Sequence, residues 1–284
     1  MKKKITVLLL LTSVLSFGQQ EPQFSMPWNN YSLYNPANTG VNNQHFSNIT
    51  YRLAYLGISN NPQYITANYE TKIDKINSGI GLGYIFDKKG VGESQKIRLN
   101  YAYHLTFKNN NSLSFGISGD YQLNKFNPNW NPPEFPTDPN LPEAISQGKI
   151  NLNGGLLFKT KRLEVGVGLT QINQPYFDNL NFTNQRHINV MASYKIQLIT
   201  DLVYKPSIYF ISDFIAGSLQ INNQFVLKEK YFLGLMYRHT DAVGIQLGAT
   251  FFKNFQIAYG FDLLTGPLTQ FENSHEVALT FRIK

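Results

Sequence analysis

The sequence predicts an all-β fold: a closed antiparallel transmembrane β-barrel of about 14 strands with both termini in the periplasm. Apolar residues alternate with small or polar residues over most of the chain, which is the period of a strand. The chain contains 21 Phe and 17 Tyr but only 15% charged residues. No apolar run after residue 18 reaches the roughly 20 residues of a membrane helix. A sheet in lipid must close, because an open edge leaves unpaired N–H and C=O groups in hydrocarbon.

Residues 1–18 have the pattern of a secretory signal peptide. Three lysines precede an apolar run from Ile5 to Leu15, and Ser16 and Gly18 are small residues before an expected cut at Gln19. The run is too short for a membrane anchor. Removing the three lysines lowers the formal net charge from +7 to +4, and so small an excess does not indicate nucleic-acid binding. The chain has no Cys, which excludes disulfides and Cys-based metal or catalytic sites.

Residues 19–43 are predicted to be an irregular segment at the periplasmic side or in the lumen, ahead of a barrel of residues 44–284. The segment is rich in Asn and Pro and lacks a strand period. Asn35 and Pro36, with Gly40 nearby, have two interpretations. They could plug the barrel or contact periplasmic partners, or they could form a structural turn. Asn-Pro initiates turns and Gly permits a positive φ, which favours the turn. We keep Asn35 and Pro36 as candidate partner-binding residues.

Fourteen strands are predicted from the alternation, an even number that returns the C-terminus to the side of the N-terminus. Their ranges are 44–57, 62–71, 77–87, 93–107, 112–126, 149–159, 162–171, 186–198, 203–211, 217–228, 231–239, 242–252, 254–263 and 274–284. The connections at the predicted periplasmic end are short. The three longest connections, 127–148, 172–185 and 263–273, fall at the predicted outer end, as in secreted barrels.

The clearest strand pair lies in AVGIQLGATFFKNFQIAYGFD, residues 242–262. Its apolar faces coincide if Phe251 lies opposite Phe255, which leaves residues 252–254 as the turn. The second face carries Gly, Ala, Gln and Thr, which suit a crowded, wet interior, so the apolar face is predicted to contact lipid. The same alignment places Leu227 opposite Tyr231, and Phe107 opposite Leu113. Other strands repeat the pattern: Leu99 and Leu279 are predicted to face lipid, and Arg98, His104 and Glu276 to face the lumen.

No catalytic, cofactor-binding or metal site is predicted. His104, Ser114 and Asp120 all point inward, but a hydrolase triad needs mutual hydrogen bonds, and a polar network in the lumen is the favoured interpretation. His275 and Glu276 alternate faces and cannot share a metal ion, and the five His have no ligand spacing. The sequence GIGLG is a strand with small lumen-facing glycines, since no helix pattern follows it.

The longest outer loop, FNPNWNPPEFPTDPNLPEAI at residues 126–145, holds six prolines. Fixed φ angles lower the cost of ordering a loop, so it is suited to presenting a pre-shaped surface. We therefore take Trp130, Pro132, Pro133 and Phe135 as candidate contacts with a secreted partner. The alternative is a stiff loop folded over or into the lumen. At the opposite end, basic turn residues such as Lys159 and Lys228 form a rim that acidic periplasmic partners could contact.

Several segments resemble the PorP/SprF family of outer-membrane proteins of the type IX secretion system. The resemblance covers essentially the whole mature chain and rests on the order and spacing of short segments. These are QEPQFSMPWNNYSLYNPANTG, Tyr51-Arg52, GLGYIFDKKGVG, residues 101–105, residues 113–116, Tyr237-Arg238 before Asp241, Tyr259-Gly260-Phe261-Asp262 and Ser274-His275-Glu276.

The resemblance implies a non-enzymatic role in protein export to the cell surface. Some members of the family take part in gliding motility and in the secretion or anchoring of a large surface adhesin. It implies a secreted surface protein as the partner. Other type IX secretion components are a second class of partner, and the lipid bilayer surrounds the barrel. Periodicity and composition alone leave two alternatives open. One is a small-solute diffusion porin, and the other, less supported, is a lipid-modifying barrel enzyme.

Overall fold

In the computed structural model, which describes residues 21–57, 59–127, 144–265, 269 and 272–283, the described residues form a closed antiparallel barrel of 14 strands. The strands are β1 (His45–Leu53), β2 (Gln63–Ile73), β3 (Ser78–Lys89), β4 (Gly92–Thr106), β5 (Ser112–Phe126), β6 (Ile145–Lys159), β7 (Leu163–Thr170), β8 (His187–Tyr194, continued by Ile196–Ile199), β9 (Leu202–Ser212), β10 (Gly217–Leu227), β11 (Tyr231–Arg238), β12 (Ala242–Phe251), β13 (Phe255–Leu264) and β14 (Ser274–Ile283). Each strand pairs with its neighbours in sequence. The predicted fold class is confirmed.

Closure comes from the pairing of the first and last strands. His45 lies opposite Ile283 and Leu53 opposite His275, so β1 and β14 pair along the full length of β1. This removes the free edge that would be unstable in hydrocarbon. No helix in the described part of the chain is long and apolar enough to cross a membrane.

Side chains alternate between an apolar exterior and a polar interior, as the sequence predicts. On β4, Leu99 is 67% exposed while its neighbour Arg98 is 1% exposed. On β14, Leu279 faces outward and Glu276 is buried in the lumen. Exposed apolar side chains on every long strand form the surface that lipid covers.

A charge on this lipid-facing surface should destabilise the barrel in a depth-dependent way. Leu99 lies at the middle of β4, so Leu99→Arg is expected to lower the free energy of unfolding by about 2–4 kcal/mol. Leu105→Arg, one residue from the end of the same strand, should cost about 0–1 kcal/mol. Urea unfolding in lipid vesicles measures both. Equal losses for the two variants would contradict the assigned depth.

Most predicted registers hold. Phe251 lies opposite Phe255, and Leu227 lies opposite Tyr231. The predicted pairing of Phe107 with Leu113 is wrong, because Leu113 pairs with Leu105. The shift of two residues leaves every side chain on its predicted face, since the strand period is two. It arises because Phe107 N–H donates to the carbonyl of Asn111, which shortens the turn to residues 108–110.

Among the strand boundaries that differ from the prediction, two have local reasons. The first strand ends at Leu53 instead of residue 57, because Tyr55 and Gly57 take φ values of 53° and 85°, which turn the chain. The eighth strand is interrupted after Tyr194. In its register with β9, Tyr194 stands opposite Pro206, which has no N–H to donate to the ladder.

The two ends of the barrel differ as expected. The end where β1 begins and β14 ends is closed by short turns, including residues 74–77, 160–162, 228–230 and 252–254. Short turns mark the periplasmic end, so the other end is the outer one. The three longest predicted loops all leave the outer end.

The loop of residues 171–186 folds back over the outer edge of β6. It carries a two-residue hairpin, Tyr176–Phe177 with Phe182–Thr183, around the 3₁₀ turn Asp178–Leu180. The Asp178 carboxylate accepts hydrogen bonds from Lys149 Nζ at 2.8 Å and Gln147 Nε2 at 3.1 Å. These two bonds lower the pKa of Asp178, so the carboxylate that anchors the loop is ionised at neutral pH.

Candidate functional site

The centre of the lumen contains residues 21–43, which we call the lumen segment. It runs from the outer half of the barrel to the periplasmic end in three short helical turns, Pro27–Asn29, Tyr31–Tyr34 and Pro36–Asn38. Prolines begin two of these turns, where a missing N–H costs nothing. The Asn35 side chain accepts from Ala37 N–H at 3.0 Å and caps the third turn. Most of the segment is buried by the barrel wall.

Glycines on the wall allow the segment to approach the sheet closely. A Cβ at Gly116 would overlap the main chain at Pro36 and Ala37, and a Cβ at Gly168 would overlap the Tyr34 carbonyl. A Cβ at Gly79 would likewise overlap the Thr39 carbonyl, and one at Gly81 would lie 3.0 Å from the Thr39 side-chain methyl. The prediction that the GIGLG glycines face the lumen is confirmed, and their small size leaves room for the segment.

Ser25 is held by the barrel through every polar atom it has. Its N–H donates to Glu276 Oε2 at 2.6 Å, and its Oγ donates to Asp262 Oδ1 at 2.7 Å. Its carbonyl accepts from the amides of Gln246 at 2.6 Å and Gln220 at 3.1 Å. Ser25 is fully buried. Together with a hydrogen bond from Arg52 on β1, these contacts fix the start of the lumen segment to five strands.

Two arginines compensate the buried carboxylates around Ser25. Arg52 Nη2 lies 2.8 Å from Asp262 Oδ2, and its Nη1 lies 3.4 Å from Glu276 Oε2 and 2.6 Å from Ser25 Oγ. Arg238 lies 3.5 Å from Asp262 and 2.7 Å from Asp241. We call Ser25, Arg52, Arg238, Asp262 and Glu276 the clamp. A buried charge is stable only when it is paired and hydrogen-bonded, so these groups depend on one another.

A second buried ion pair supports the middle of the segment. Arg98 donates to Asp120 on the adjacent strand and also to the Leu33 carbonyl. Asp120 accepts further hydrogen bonds from Asn151 at 2.8 Å and Asn153 at 2.6 Å. The ladder between β4 and β5 places Arg98 directly opposite Asp120. The lumen wall thus binds main-chain groups of the segment at two levels.

The clamp is built from segments that carry the family resemblance. The opening PQFS supplies Ser25, Tyr51-Arg52 supplies Arg52, Tyr237-Arg238 supplies Arg238, YGFD supplies Asp262, and Ser274-His275-Glu276 supplies Glu276. These residues are up to 251 positions apart in sequence. Sequence reasoning placed Glu276 in the lumen but missed that these five side chains meet. The recurrence of one charged residue at the end of four of these five short segments was the available signal.

The predicted partner-binding residues fall into two groups. Asn35 and Pro36 lie within the lumen segment, where Asn35 is 1% exposed and donates to the Leu156 carbonyl at 2.9 Å. In this conformation they contact the barrel wall, and a role in binding a partner stays a prediction. Trp130, Pro132, Pro133 and Phe135 lie outside the described residues.

The residues considered for catalysis do not form a Ser–His–Asp set. His104 Nδ1 and Ser114 Oγ are 2.8 Å apart, but Asp120 is engaged by Arg98, Asn151 and Asn153. His275 points outward to the Tyr259 hydroxyl, 2.6 Å away, while Glu276 points inward, as their alternation predicts. In the part of the chain that the structure describes, no three His, Asp or Glu side chains are grouped to hold a metal ion.

The periplasmic mouth is basic. A cleft of about 650 Å³ is lined by four cationic side chains, Lys228, Lys230, Lys253 and Arg282, and by Glu229. On the opposite wall Lys159 lies 3.7 Å from Glu164. A contact between this rim and acidic periplasmic partners stays a prediction.

Comparison with solved structures shows the same architecture in other outer-membrane barrels. The toluene transporter TbuX of Ralstonia pickettii has a TM-score of 0.57 at 12% identity, with 89% of this chain and 93% of that chain covered. The monoaromatic hydrocarbon channel CymD has a TM-score of 0.53 at 11% identity, covering 94% and 95%. A FadL homologue of Pseudomonas aeruginosa has a TM-score of 0.51 at 11% identity, covering 88% and 93%. At these identities the likeness shows the fold alone.

The closed barrel, its apolar exterior and its filled polar lumen define an outer-membrane β-barrel protein. No curated protein matches the chain. The model of the family described as "Type IX secretion system membrane protein PorP/SprF" matches residues 16–281. The chain belongs to the PorP/SprF family, and it is an outer-membrane component of type IX secretion.

Proposed function

We propose that this protein is a non-enzymatic component of type IX secretion that binds a secreted surface protein and helps to export or anchor it. Gliding motility and surface adhesion are the processes in which such an anchored protein would act. Family membership makes other secretion components the expected partners. The finer role, a contact with one surface protein, is argued from the way in which the lumen of the barrel is filled.

The carrying observation is that the lumen segment occupies the centre of the barrel and is held there by buried charges. Ser25 is bound at its N–H, hydroxyl and carbonyl, and the surrounding Arg52, Asp262 and Glu276 are buried. Releasing the segment would remove the hydrogen bonds that Ser25 donates to the buried Asp262 and Glu276 carboxylates, which is unfavourable because buried charges need their hydrogen bonds as well as their ion partners. A barrel built in this way is suited to be a platform for a partner, and the secreted chain would pass beside it.

Passage of small solutes is the less favoured function. A diffusion porin needs a continuous water-filled path, whereas main chain and side chains of the lumen segment fill this centre. The structurally similar TbuX and CymD are described as a toluene transporter and a monoaromatic hydrocarbon channel. The described lumen wall here is dominated by Asn, Gln, Arg and acidic side chains, which do not suit an apolar solute.

The test is a mild-detergent pull-down of the tagged barrel from outer membranes, combined with a comparison of surface proteins in a deletion strain. We expect a large secreted protein to be recovered with the barrel and to be absent from the surface after deletion. We also expect the purified barrel to show no steady conductance in a planar bilayer. A barrel recovered alone, with an unchanged surface proteome and measurable conductance, would establish the porin function instead.

A complementation arm tests the non-enzymatic part of the proposal. Ser114→Ala removes the hydroxyl beside His104. Ser118→Ala is the matched control, because Ser118 also faces the lumen on β5, four residues further along the strand. Both variants are expected to restore the surface protein to the deletion strain. Loss of surface protein with Ser114→Ala alone, at an unchanged level of folded barrel, would indicate a nucleophilic role for Ser114.

A further inference from the structure

A cavity of about 320 Å³ lies in the outer half of the barrel, above the start of the lumen segment. We call it the outer cavity. Its wall combines the outer parts of β3, β4 and β5, the first residues of the lumen segment and the loop of residues 171–186. The side chains on which its chemistry depends are Asp87, Lys96, Asn124, Thr183 and His187.

The charges of the outer cavity balance. Lys89 lies 2.9 Å from Asp87 and Lys96 lies 3.9 Å from Glu21, so two cations face two anions. The other polar side chains of the lining are amides, hydroxyls and His187. A neutral ligand that forms hydrogen bonds fits this wall better than an anion, a cation or a lipid tail.

Several polar atoms at this wall are buried without a hydrogen-bond partner. They are Asn124 Nδ2, both ring nitrogens of His187 and Asp87 Oδ1. Asn124 is 5% exposed and His187 is 2% exposed. Buried polar groups in folded proteins are nearly always paired, so donors and acceptors that have no protein partner around one cavity favour a ligand that forms hydrogen bonds there.

A network of amides holds these groups in place. Gln122 Nε2 donates to Asn124 Oδ1 at 2.9 Å, which leaves the Asn124 amino group free to donate elsewhere. Gln122 Oε1 in turn accepts from Asn184 at 2.7 Å and from Asn151 at 2.9 Å. The network joins β5, β6 and the outer loop, so the donor is positioned before any ligand arrives.

We infer that the outer cavity binds a short, uncharged segment of the secreted surface protein through the segment's main chain. This inference rests on the proposed function and adds where the partner is recognised. A peptide main chain is neutral and offers alternating C=O and N–H groups, which match Asn124 as donor, Asp87 as acceptor and His187 as either. The cavity lies in the outer half of the barrel, on the side of the cell surface, where the secreted protein is delivered.

A saccharide is the competing ligand, and the aromatic geometry disfavours it. Sugar rings commonly stack on an open aromatic face. Phe182, the aromatic ring in the described lining, is stacked on Phe177 with 4.8 Å between ring centroids and 7° between planes, so one face is already covered.

Cysteine cross-linking can locate the contact, because the chain has no Cys and an introduced thiol is unique. Thr183 is exposed at the cavity wall, and Asn179 is exposed in the same loop outside the lining. Thr183→Cys and Asn179→Cys would each be labelled with benzophenone maleimide and irradiated in outer membranes. We expect Thr183→Cys to give an adduct with the surface protein, mapped by mass spectrometry to one uncharged segment, and Asn179→Cys to give little.

Substitution of the unpaired groups supplies the second measurement. His187→Phe and Asn124→Leu are each expected to weaken recovery of the surface protein roughly tenfold, the loss of about one hydrogen bond. Asn179→Leu should leave recovery unchanged. Heat-dependent gel migration of the barrel identifies variants that fold, and only those are compared.

The outcomes separate the inference from the proposed function. If the intact barrel recovers no surface protein, the proposed function fails. If it recovers one, but both labelled positions give equal adducts and the cavity variants bind normally, only the cavity assignment fails. An adduct of Thr183→Cys with a glycan or lipopolysaccharide would overturn the peptide assignment in favour of a saccharide.

Discussion

Arg52→Met is expected to lower the free energy of unfolding of the barrel by about 3–5 kcal/mol, because it removes one partner from a buried set of charges. Asp262 and Glu276 are both 0% exposed, and Arg52 contacts each of them as well as the Ser25 hydroxyl. After the substitution, Glu276 keeps no guanidinium contact, and Asp262 keeps only Arg238 at 3.5 Å. The lumen segment should therefore loosen together with the wall.

Urea unfolding in detergent or vesicles measures this loss. The chain has two Trp, so a Trp130→Phe background makes Trp28, in the lumen segment, the single reporter. Arg186→Met is the matched control, because Arg186 is exposed and donates only to Gln174 at 2.9 Å in the outer loop. The control should change stability by at most about 0.5 kcal/mol.

A second substitution tests whether the loss comes from unpaired charge. Asp262→Asn added to Arg52→Met should recover part of the stability, because the neutral amide no longer requires the guanidinium. If Arg52→Met were as stable as the Arg186→Met control, the clamp would not hold the segment.

Gly116→Val is expected to displace the lumen segment and open the barrel to ions. Any Cβ at Gly116 would overlap main-chain atoms of Pro36 and Ala37, and main chain cannot rotate away as a flexible side chain does. Overpacking typically costs about 1–3 kcal/mol, and contact with main chain places this variant at the upper end. The segment can relieve the overlap by leaving the wall, so conductance should appear in a planar bilayer where the unmodified barrel shows none.

Gly119→Val is the control on the same strand. Gly119 has its nearest neighbour at 4.0 Å, the Asn151 carbonyl oxygen, so a side chain fits there, and Val favours strands. We expect this variant to stay closed and to fold normally.

Gly83→Ala gives an intermediate case. The added Cβ would lie 2.7 Å from Leu33 Cδ2, the end of a flexible side chain, so the loss of stability should be smaller than for Gly116→Val. A Gly116→Val barrel with unchanged stability and no conductance would show that close packing against Gly116 does not hold the segment in place. Gel migration after mild heating distinguishes an opened barrel from one that fails to fold.

The barrel itself could be predicted from the sequence by elementary rules. Alternation with period two assigned Leu99 outward and Arg98 inward, and the turn at residues 252–254 paired Phe251 with Phe255. These are local properties, decided by strand geometry and by the lipid outside. The error at Phe107 was also local, since the width of one turn depends on a hydrogen bond to Asn111.

The lumen segment was harder to place, because it has no period. The Asn-Pro turn at Asn35 and Pro36 was predicted, and the structure shows its cap on Ala37. Whether the turn lay in the lumen or outside it was left open. From the sequence, a glycine such as Gly116 is predicted only to be a small inward residue. The assembled barrel shows which main chain lies against it.

By itself the sequence determined which side chains face lipid and which face the lumen, how many strands alternate and which loops are long. Only the tertiary structure decided that Ser25 meets Glu276, 251 residues away, or that Asn124 and His187 border one cavity. Period two assigns a side chain to a face of the sheet but does not say which inward side chains from distant strands come within hydrogen-bond distance. That depends on the closure of β1 on β14 and on the stagger of every strand between them.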